Sequence, residues 1–255
     1  MTQSQTLQRQ EKLLSMLSQD GSLSVDDLAQ RLRVSVWTVR RDLSKLEERG
    51  ALRRLHGAAA AMPLGVDSIG ATGDANPTGK ERIGFAAASR VAPGMHVALS
   101  GGSTTLAVAR AMKGLGFHGE VVTNALDIAL ELAEAPGMRV VCTGGEVQAR
   151  YRTLAGAVTE RVLKLHYFDI AIIGVSGIAV PQGFTVNSQV EAATLALMIE
   201  HARTVILVAD HTKFGRVAFA LLPADTPPQL VITDRRPTAD HLQALTACGA
   251  QVIVA

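Results

Sequence analysis

The sequence predicts an α/β protein in two unequal parts, a small helical head and an open, largely parallel α/β body. Three observations predict it. Hydrophobic residues make up 47% of the 255 and aromatic ones only 4%, so the core must be built from Val, Leu, Ile and Ala, which suits helices packed on a parallel sheet. Apolar residues recur at helical spacing near the start, and from position 80 short apolar runs alternate with helix-length segments. Residues 1–57 hold ten Lys/Arg against seven Asp/Glu, a net +3, and 31–54 alone reach +5, whereas the other 198 residues sum to −1. A basic head on a near-neutral body fits a polyanion-binding module joined to a part with another task; a merely solvated helical face is the alternative that charge leaves open.

Composition also excludes classes. A charged fraction of 19% with this much apolar material is no disordered chain. Two cysteines, Cys142 and Cys248, are too few for a disulfide scaffold or an all-cysteine metal site. Their apolar and small neighbours predict buried side chains in a reducing compartment. The opening residues lack a basic region followed by an apolar core, so no secretory signal is expected. The longest uncharged run, 170–190, carries Gly174, Gly177, Pro181, Gly183, Asn187 and Gln189, which no lipid-spanning helix tolerates at that density. The expectation is a soluble cytoplasmic protein with no membrane partner.

In the head, Leu7, Leu13, Leu14 and Leu17 fall on one helical face, and Gly21 ends that helix. Ser24 followed by Asp27 is an N-terminal capping pattern for a short second helix with Leu28 and Leu32 on its apolar face. After a tight Arg33-Val34 turn, Ser35 caps a third helix from 36 to about 49, stopped by Gly50. Val36, Val39, Leu43 and Leu46 make its apolar stripe. Trp37, Thr38, Arg40, Arg41, Ser44 and Lys45 point the other way. That surface is what a helix in a DNA major groove needs: guanidinium forks for guanine edges or phosphates, and hydroxyls and an exposed N-terminus for phosphate oxygens. Trp37 has two uses open to it, packing on a thymine methyl or sugar, or propping the helix on its own module. Asp42 is assigned to an arginine salt bridge or a cap. Residues 51–56 read as a short strand whose Arg53, Arg54 and His56 form a basic wing. The sum is a winged helix-turn-helix over 1–57. The stretch 58–79, broken by Gly and Pro, reads as a linker with room for a short helix at its alanine run.

The run Ser35-Val36-Trp37-Thr38-Val39-Arg40-Arg41-Asp42-Leu43, with Leu46-Glu47 and Gly50, resembles the signature of the DeoR family of transcriptional regulators. One departure is His56-Gly57-Ala58-Ala59, where that family usually has His-Gly-Gly-Ala.

In the body, 80–255, strands are expected at 95–99, 120–123, 139–142, 169–175, 204–209, 230–232 and 251–254. Helices are expected at 80–89, 104–112, 126–133, 158–165, 190–202 and 239–247. Alternation of this kind means βαβ units, and small ligands bind beyond the carboxyl ends of such strands. The first strand runs into Ser100-Gly101-Gly102-Ser103-Thr104-Thr105, a phosphate cradle of glycine backbone, hydroxyls and a helix N-terminus, with an ordinary tight turn as the alternative. No Gly-Lys-Ser/Thr ends it, so it is not a nucleotide P-loop. Loops at Thr123-Asn124, Gly144-Gly145, 174–177 and 209–215 stand at other strand ends. Arg150-Tyr151-Arg152 is either a second anion contact or a solvated turn. His211 is the one histidine with a case for lying near a ligand.

These stretches are similar to the DeoR sensor pattern, so the resemblance runs from Gln10 to about Asp234. It implies a body resembling ribose-5-phosphate isomerase and coenzyme A transferases, used to sense phosphorylated sugars. On that resemblance Gly102, Ser103, Thr104 and Thr105 become phosphate contacts, and Asn124, Gly177, Glu191 and Lys213 contacts to sugar or phosphate. Two departures stand out: Ser100 where the family commonly has Asp, and Leu195-Ala196 where it has a basic pair. Both count against isomerase catalysis, which needs a positioned acid or base. The reading is therefore a repressor of carbohydrate catabolism genes that binds operator DNA and a phosphorylated sugar, as a homo-oligomer (dimer or tetramer), with no catalytic residues, metal or cofactor. Its rivals are a sugar-phosphate isomerase-like enzyme with an accessory helical domain and a protein-interaction adaptor.

Overall fold

Apolar residues three and four apart make the first unit helical. A computed structural model describes residues 9, 12, 13, 16, 22–32, 34–48, 53–55, 58–60, 76–223 and 227–255, and the chain divides into units Met1–Gly65 and Val66–Ala255. In the first unit, Arg9, Lys12, Leu13 and Met16 are helical. There follow β1 (Ser22–Ser24), α1 (Val25–Leu32), α2 (Val36–Glu48), β2 (Arg53–Leu55) and β3 (Ala58–Ala60). Leu13, Leu28, Ala29, Val39, Leu43 and Leu46 close a small core, with Val36 half-buried at its edge. Val34 N donates to Ala29 O at 3.1 Å across the turn between α1 and α2. β3 lies between β1 and β2, antiparallel to both.

Two elements fall within 58–79, the stretch read as linker. The first three of the run's four alanines form a strand, not a helix: four alanines are too few to nucleate a helix, while pairing with β1 and β2 satisfies the backbone groups of Ala58–Ala60. The helix expected at 80 begins at Pro77, because Asn76 caps it and a proline fits its first turn.

The second unit runs α3 (Pro77–Ala88), β4 (His96–Leu99), α4 (Ser103–Gly114), β5 (Gly119–Thr123), α5 (Leu126–Ala133) and β6 (Met138–Cys142). The short pair β7 (Glu146–Gln148) and β8 (Thr153–Ala155) comes next, then α6 (Ala157–Lys164) and β9 (Phe168–Gly174). β10 (Gly177–Ala179), β11 (Gly183–Val186), α7 (Gln189–Glu200) and β12 (Ala202–Val208) follow. A 3₁₀ turn (His211–Lys213), β13 (Ala220–Leu221), β14 (Leu230–Thr233), α8 (Ala239–Ala247) and β15 (Gln251–Val254) complete it. Seven strands form one sheet in the order β15-β14-β12-β9-β4-β5-β6, every pair parallel.

Alternation in these strands feeds two cores. Val97, Leu99, Ile170, Ile172, Ile206 and Val208 pack with Ile83, Leu106, Met112 and Ile128 from α3, α4 and α5. Ala98, Ala171, Ile173, Val205 and Leu207 pack on the other face with Leu163, Leu195, Met198 and Leu245 from α6, α7 and α8. Burial on both faces is why these strands read as near-continuous apolar runs. The chain passes from β4 outward through β5 and β6, then returns to place β9 on the other side of β4. Between β4 and β9 the winding reverses, which opens a crevice beyond their carboxyl ends.

Both cysteines are exposed, against expectation. Cys142 ends the edge strand β6, and Cys248 caps α8, where its Sγ donates to Leu245 O at 3.0 Å. Among the described residues no helix is long and apolar enough to cross a membrane.

Candidate functional site

Two surfaces carry the chemistry, one in each unit. On α2 the Ser35 hydroxyl accepts from Thr38 N at 3.2 Å and lies 2.8 Å from Thr38 Oγ1, so the cap starts the helix one residue later. Val39, Leu43 and Leu46 are buried beneath it. Trp37 is 68% exposed, so it does not prop the helix on its own module. The Arg41 guanidinium sits 5.6 Å from the Trp37 ring centroid, a cation–π contact that orients the fork. Arg40 and Arg41 are exposed, and Thr38 and Ser44 half-exposed, with Ser44 Oγ donating to Arg40 O at 3.0 Å. Asp42 is buried and takes the Arg9 Nε at 2.5 Å, the salt bridge expected of it. Lys45 lies on α2 and Arg53 and Arg54 on β2, but their side chains, and all of His56, lie outside the described residues.

In the second unit a cleft opens at the switch between β4 and β9, with a cavity volume of about 80 Å³. That is room for several waters or a small polar ligand. Its lining brings together seven of the eight residues expected to meet a ligand: Gly102, Ser103, Thr104, Thr105, Asn124, Glu191 and Lys213. Gly102 caps α4 at φ 141°, a conformation that needs glycine, and no side chain caps that helix. The first-turn N–H groups of α4 therefore remain available to an anion. Lys80 Nζ donates to Ser103 Oγ at 2.8 Å and stands 3.9 Å from Asp210 Oδ2. Thr105 Oγ1 donates to Gly102 O at 2.9 Å. Thr104 lines the cleft beside them and is almost fully buried.

Asn124, in the cleft lining, also braces the loops around it. Its Oδ1 accepts from Gly101 N at 3.3 Å and its Nδ2 donates to Leu154 O at 3.0 Å, so the amide ties two lining loops together. Ser100 does the same for β4 and β9, its Oγ accepting from Gly174 N at 3.1 Å. The eighth residue, Gly177, is not among those lining the cleft. A Cβ there would meet Arg216 O at 2.4 Å and Thr185 Oγ1 at 2.6 Å, so this glycine is required by close packing. His211 also lies outside the lining, its ring Nδ1 2.8 Å from Asp234 Oδ2.

α7 brings Glu191, Thr194 and Leu195 to the opposite wall. The Ser188 hydroxyl caps α7 by accepting from Glu191 N, and Asn187 N donates to Glu191 Oε2 at 3.0 Å. Burial pushes the Glu191 carboxyl up, against the opposing pull of Asn187 N–H and of Lys213. Sequence reasoning missed Lys80, only 2% exposed, which holds the lining residue Ser103, and the strand pair β7–β8, whose Gln148 and Thr153 line the cleft with Tyr151. Of the Arg150-Tyr151-Arg152 turn only Tyr151 lines the cleft. Burial pushes its phenol up, Arg150 draws it back and Glu191 adds to the rise. Among the described residues, no group of three or more His, Cys, Asp or Glu could hold a metal ion.

The pattern of the DeoR-like helix-turn-helix domain matches residues 9–63, and that of the DeoR C terminal sensor domain matches residues 75–235. The HTH-type transcriptional regulator GlpR of Haloferax volcanii is 33% identical over 96% of this chain and 96% of its own. The glycerol-3-phosphate regulon repressor of Escherichia coli strain K12 is 32% identical over 94% of this chain and 95% of its own. Among solved structures, ribose 5-phosphate isomerase A of Methanocaldococcus jannaschii overlaps 55% of each chain at 14% identity, with a TM-score of 0.41.

Proposed function

Because the chain belongs to the DeoR family of DNA-binding transcriptional regulators, we propose that it represses carbohydrate catabolism genes and is controlled by a phosphorylated sugar bound in the switch-point cleft. One observation carries this reading. The uncapped start of α4, Thr104 and Lys213 line a crevice of several polar groups and little volume, and Lys80 reaches its edge through the Ser103 hydroxyl. Such a cradle suits a phosphate ester, whose charge meets oriented N–H groups and ammonium ions that are already desolvated. Glu191, Tyr151, Gln148 and Thr194 on the other walls suit the hydroxyls of the sugar.

On the first unit, Arg40 and Arg41 with the Trp37 face form the groove-reading surface, backed by the β2–β3 wing. The sugar phosphate must prefer one of two arrangements of the chain, DNA-competent or not, for its binding to matter. A single such head makes few phosphate contacts, so useful affinity calls for two or more copies, a dimer or tetramer, in the cytoplasm where the operator lies. No enzymatic turnover belongs to this reading: Ser100 holds Gly174 N where a general acid would stand, and the relatives carry the names of regulators.

The test is calorimetric titration with pentose, hexose and glycerol phosphates, repeated on Thr104→Val. A phosphate ester should bind the native chain, with Thr104→Val losing that binding while operator affinity survives. Native binding in the variant would remove the cradle from the site, and turnover of any of these esters would revive the isomerase reading.

A further inference from the structure

Asp234 lies just past β14 and outside the cleft lining, yet it joins the element that carries Lys213 of the cleft and the one that carries Lys80, the partner of Ser103 in its lining. Its side chain is 1% exposed. Oδ1 accepts from His211 N at 2.6 Å, and Oδ2 accepts from His211 Nδ1 and from Asn76 Nδ2, each at 2.8 Å. Arg235 Nε is 3.9 Å from the same Oδ2. Burial alone would raise this carboxyl, but the His211 and Asn76 hydrogen bonds outweigh it and hold the group below its ordinary range.

Each donor belongs to a different arm. His211 opens the 3₁₀ turn that ends in Lys213. Asn76 is the N-cap of α3, its Oδ1 accepting from Gly79 N at 3.2 Å, and α3 carries Lys80 to Ser103 one turn later. A second tie, Arg82 Nη2 to the Asp234 carbonyl at 3.2 Å, fixes α3 to the same corner. A buried carboxylate stripped of a donor is costly, so neither arm can shift alone without leaving charge unpaired. One buried carboxylate therefore ties together the elements that carry Lys80 and Lys213.

We propose that Asp234 is a positioning residue: by holding His211 and Asn76 it places Lys213, in the cleft wall, against the Ser103 hydroxyl that Lys80 holds, and so couples the filling of the cleft by a phosphate ester to Asn76 at the head of α3. This rests on the reading of the cleft as an anion site. The test is calorimetry on the intact chain with inorganic phosphate, glycerol 3-phosphate, ribose 5-phosphate and glucose 6-phosphate, beside ligand-free thermal unfolding. Asp234→Asn and Asn76→Ala should each weaken the probe that binds the native chain by about 2- to 30-fold. Asn76→Ala and His211→Ala should combine non-additively in affinity, since each loosens the same carboxylate. If Asp234→Asn does not fold, the Asn76→Ala and His211→Ala cycle decides alone. Unchanged probe affinity in folded variants, with only the melting point lowered, would make Asp234 a structural residue and overturn the inference while the cleft reading stands. Failure of all four probes on the native chain would overturn both.

Discussion

Lysine is among the side chains least often buried, and the second unit buries two, Lys80 at 2% and Lys213 at 7% exposure. Charges in such places need partners: Lys80 has Ser103 and Asp210, and Lys213 acts on the Glu191 carboxyl across the cleft. Glu191 gives a signed prediction. Its carboxyl is raised in the fold, chiefly by burial, from the ordinary 4.5. Between that value and the raised one the native state keeps a proton that the unfolded chain has released, so stability falls as pH rises through the window and the deficit persists at neutral pH. Glu191→Gln keeps an acceptor for Asn187 N and removes the charge. Its thermal midpoint should exceed the native one at pH 7, with the gain shrinking as pH falls below the window; a gain independent of pH would contradict the assignment. In the first unit, Arg40→Ala or Arg41→Ala should weaken operator binding by about 1–3 kcal/mol if the forks read bases. A mobility-shift titration at fixed salt that finds native affinity would reject that role.

At the scale of elements, what could be read from the sequence depended on length and on burial. α2 was legible because its apolar stripe and its basic face run for 13 residues behind a serine cap. The seven sheet strands were legible as β-branched runs between glycine-rich turns. β7, β8, β10 and β13 span only two or three residues, too short for alternation to declare itself, and Val147 on β7 is exposed. So the arm that brings Tyr151 to the cleft went unseen. Lys80 went unseen for another reason: in Thr78-Gly79-Lys80-Glu81-Arg82 nothing local separates the buried lysine from the arginine two positions on. That difference is made by Ser103, 23 residues away. A signal did exist for Asn76, since an asparagine before proline marks a cap with proline at the first helical position. Gly177, expected at the ligand, stands outside the cleft lining where β10 approaches the Arg216 carbonyl, a packing need the sequence does not show. Gly177→Ala should lower stability by about 1–3 kcal/mol through overpacking, measured by denaturant unfolding. A variant as stable as the native chain, with lost ligand binding, would restore the glycine to the site.

For the whole molecule, the division of labour follows from cores that share no residue between the units, one under α2 and two on the opposite faces of the parallel sheet. The first unit offers cations and an exposed aromatic to a polyanion; the second offers a crevice at the reversal of strand winding, where α/β sheets bind small ligands. Neither surface alone makes a switch. The account requires that filling the crevice change the affinity of the basic helix for DNA, and that the change be reciprocal. The direct measurement is the affinity of the purified chain for its own promoter and for random duplex across a salt series, with and without the phosphate ester that binds the cleft. The account predicts a preference for the promoter, a steep loss of affinity with salt as phosphate contacts are screened, and a further loss when the ester is added. Equal affinity for both duplexes at every salt concentration, or promoter binding that the bound ester leaves unchanged, would contradict it.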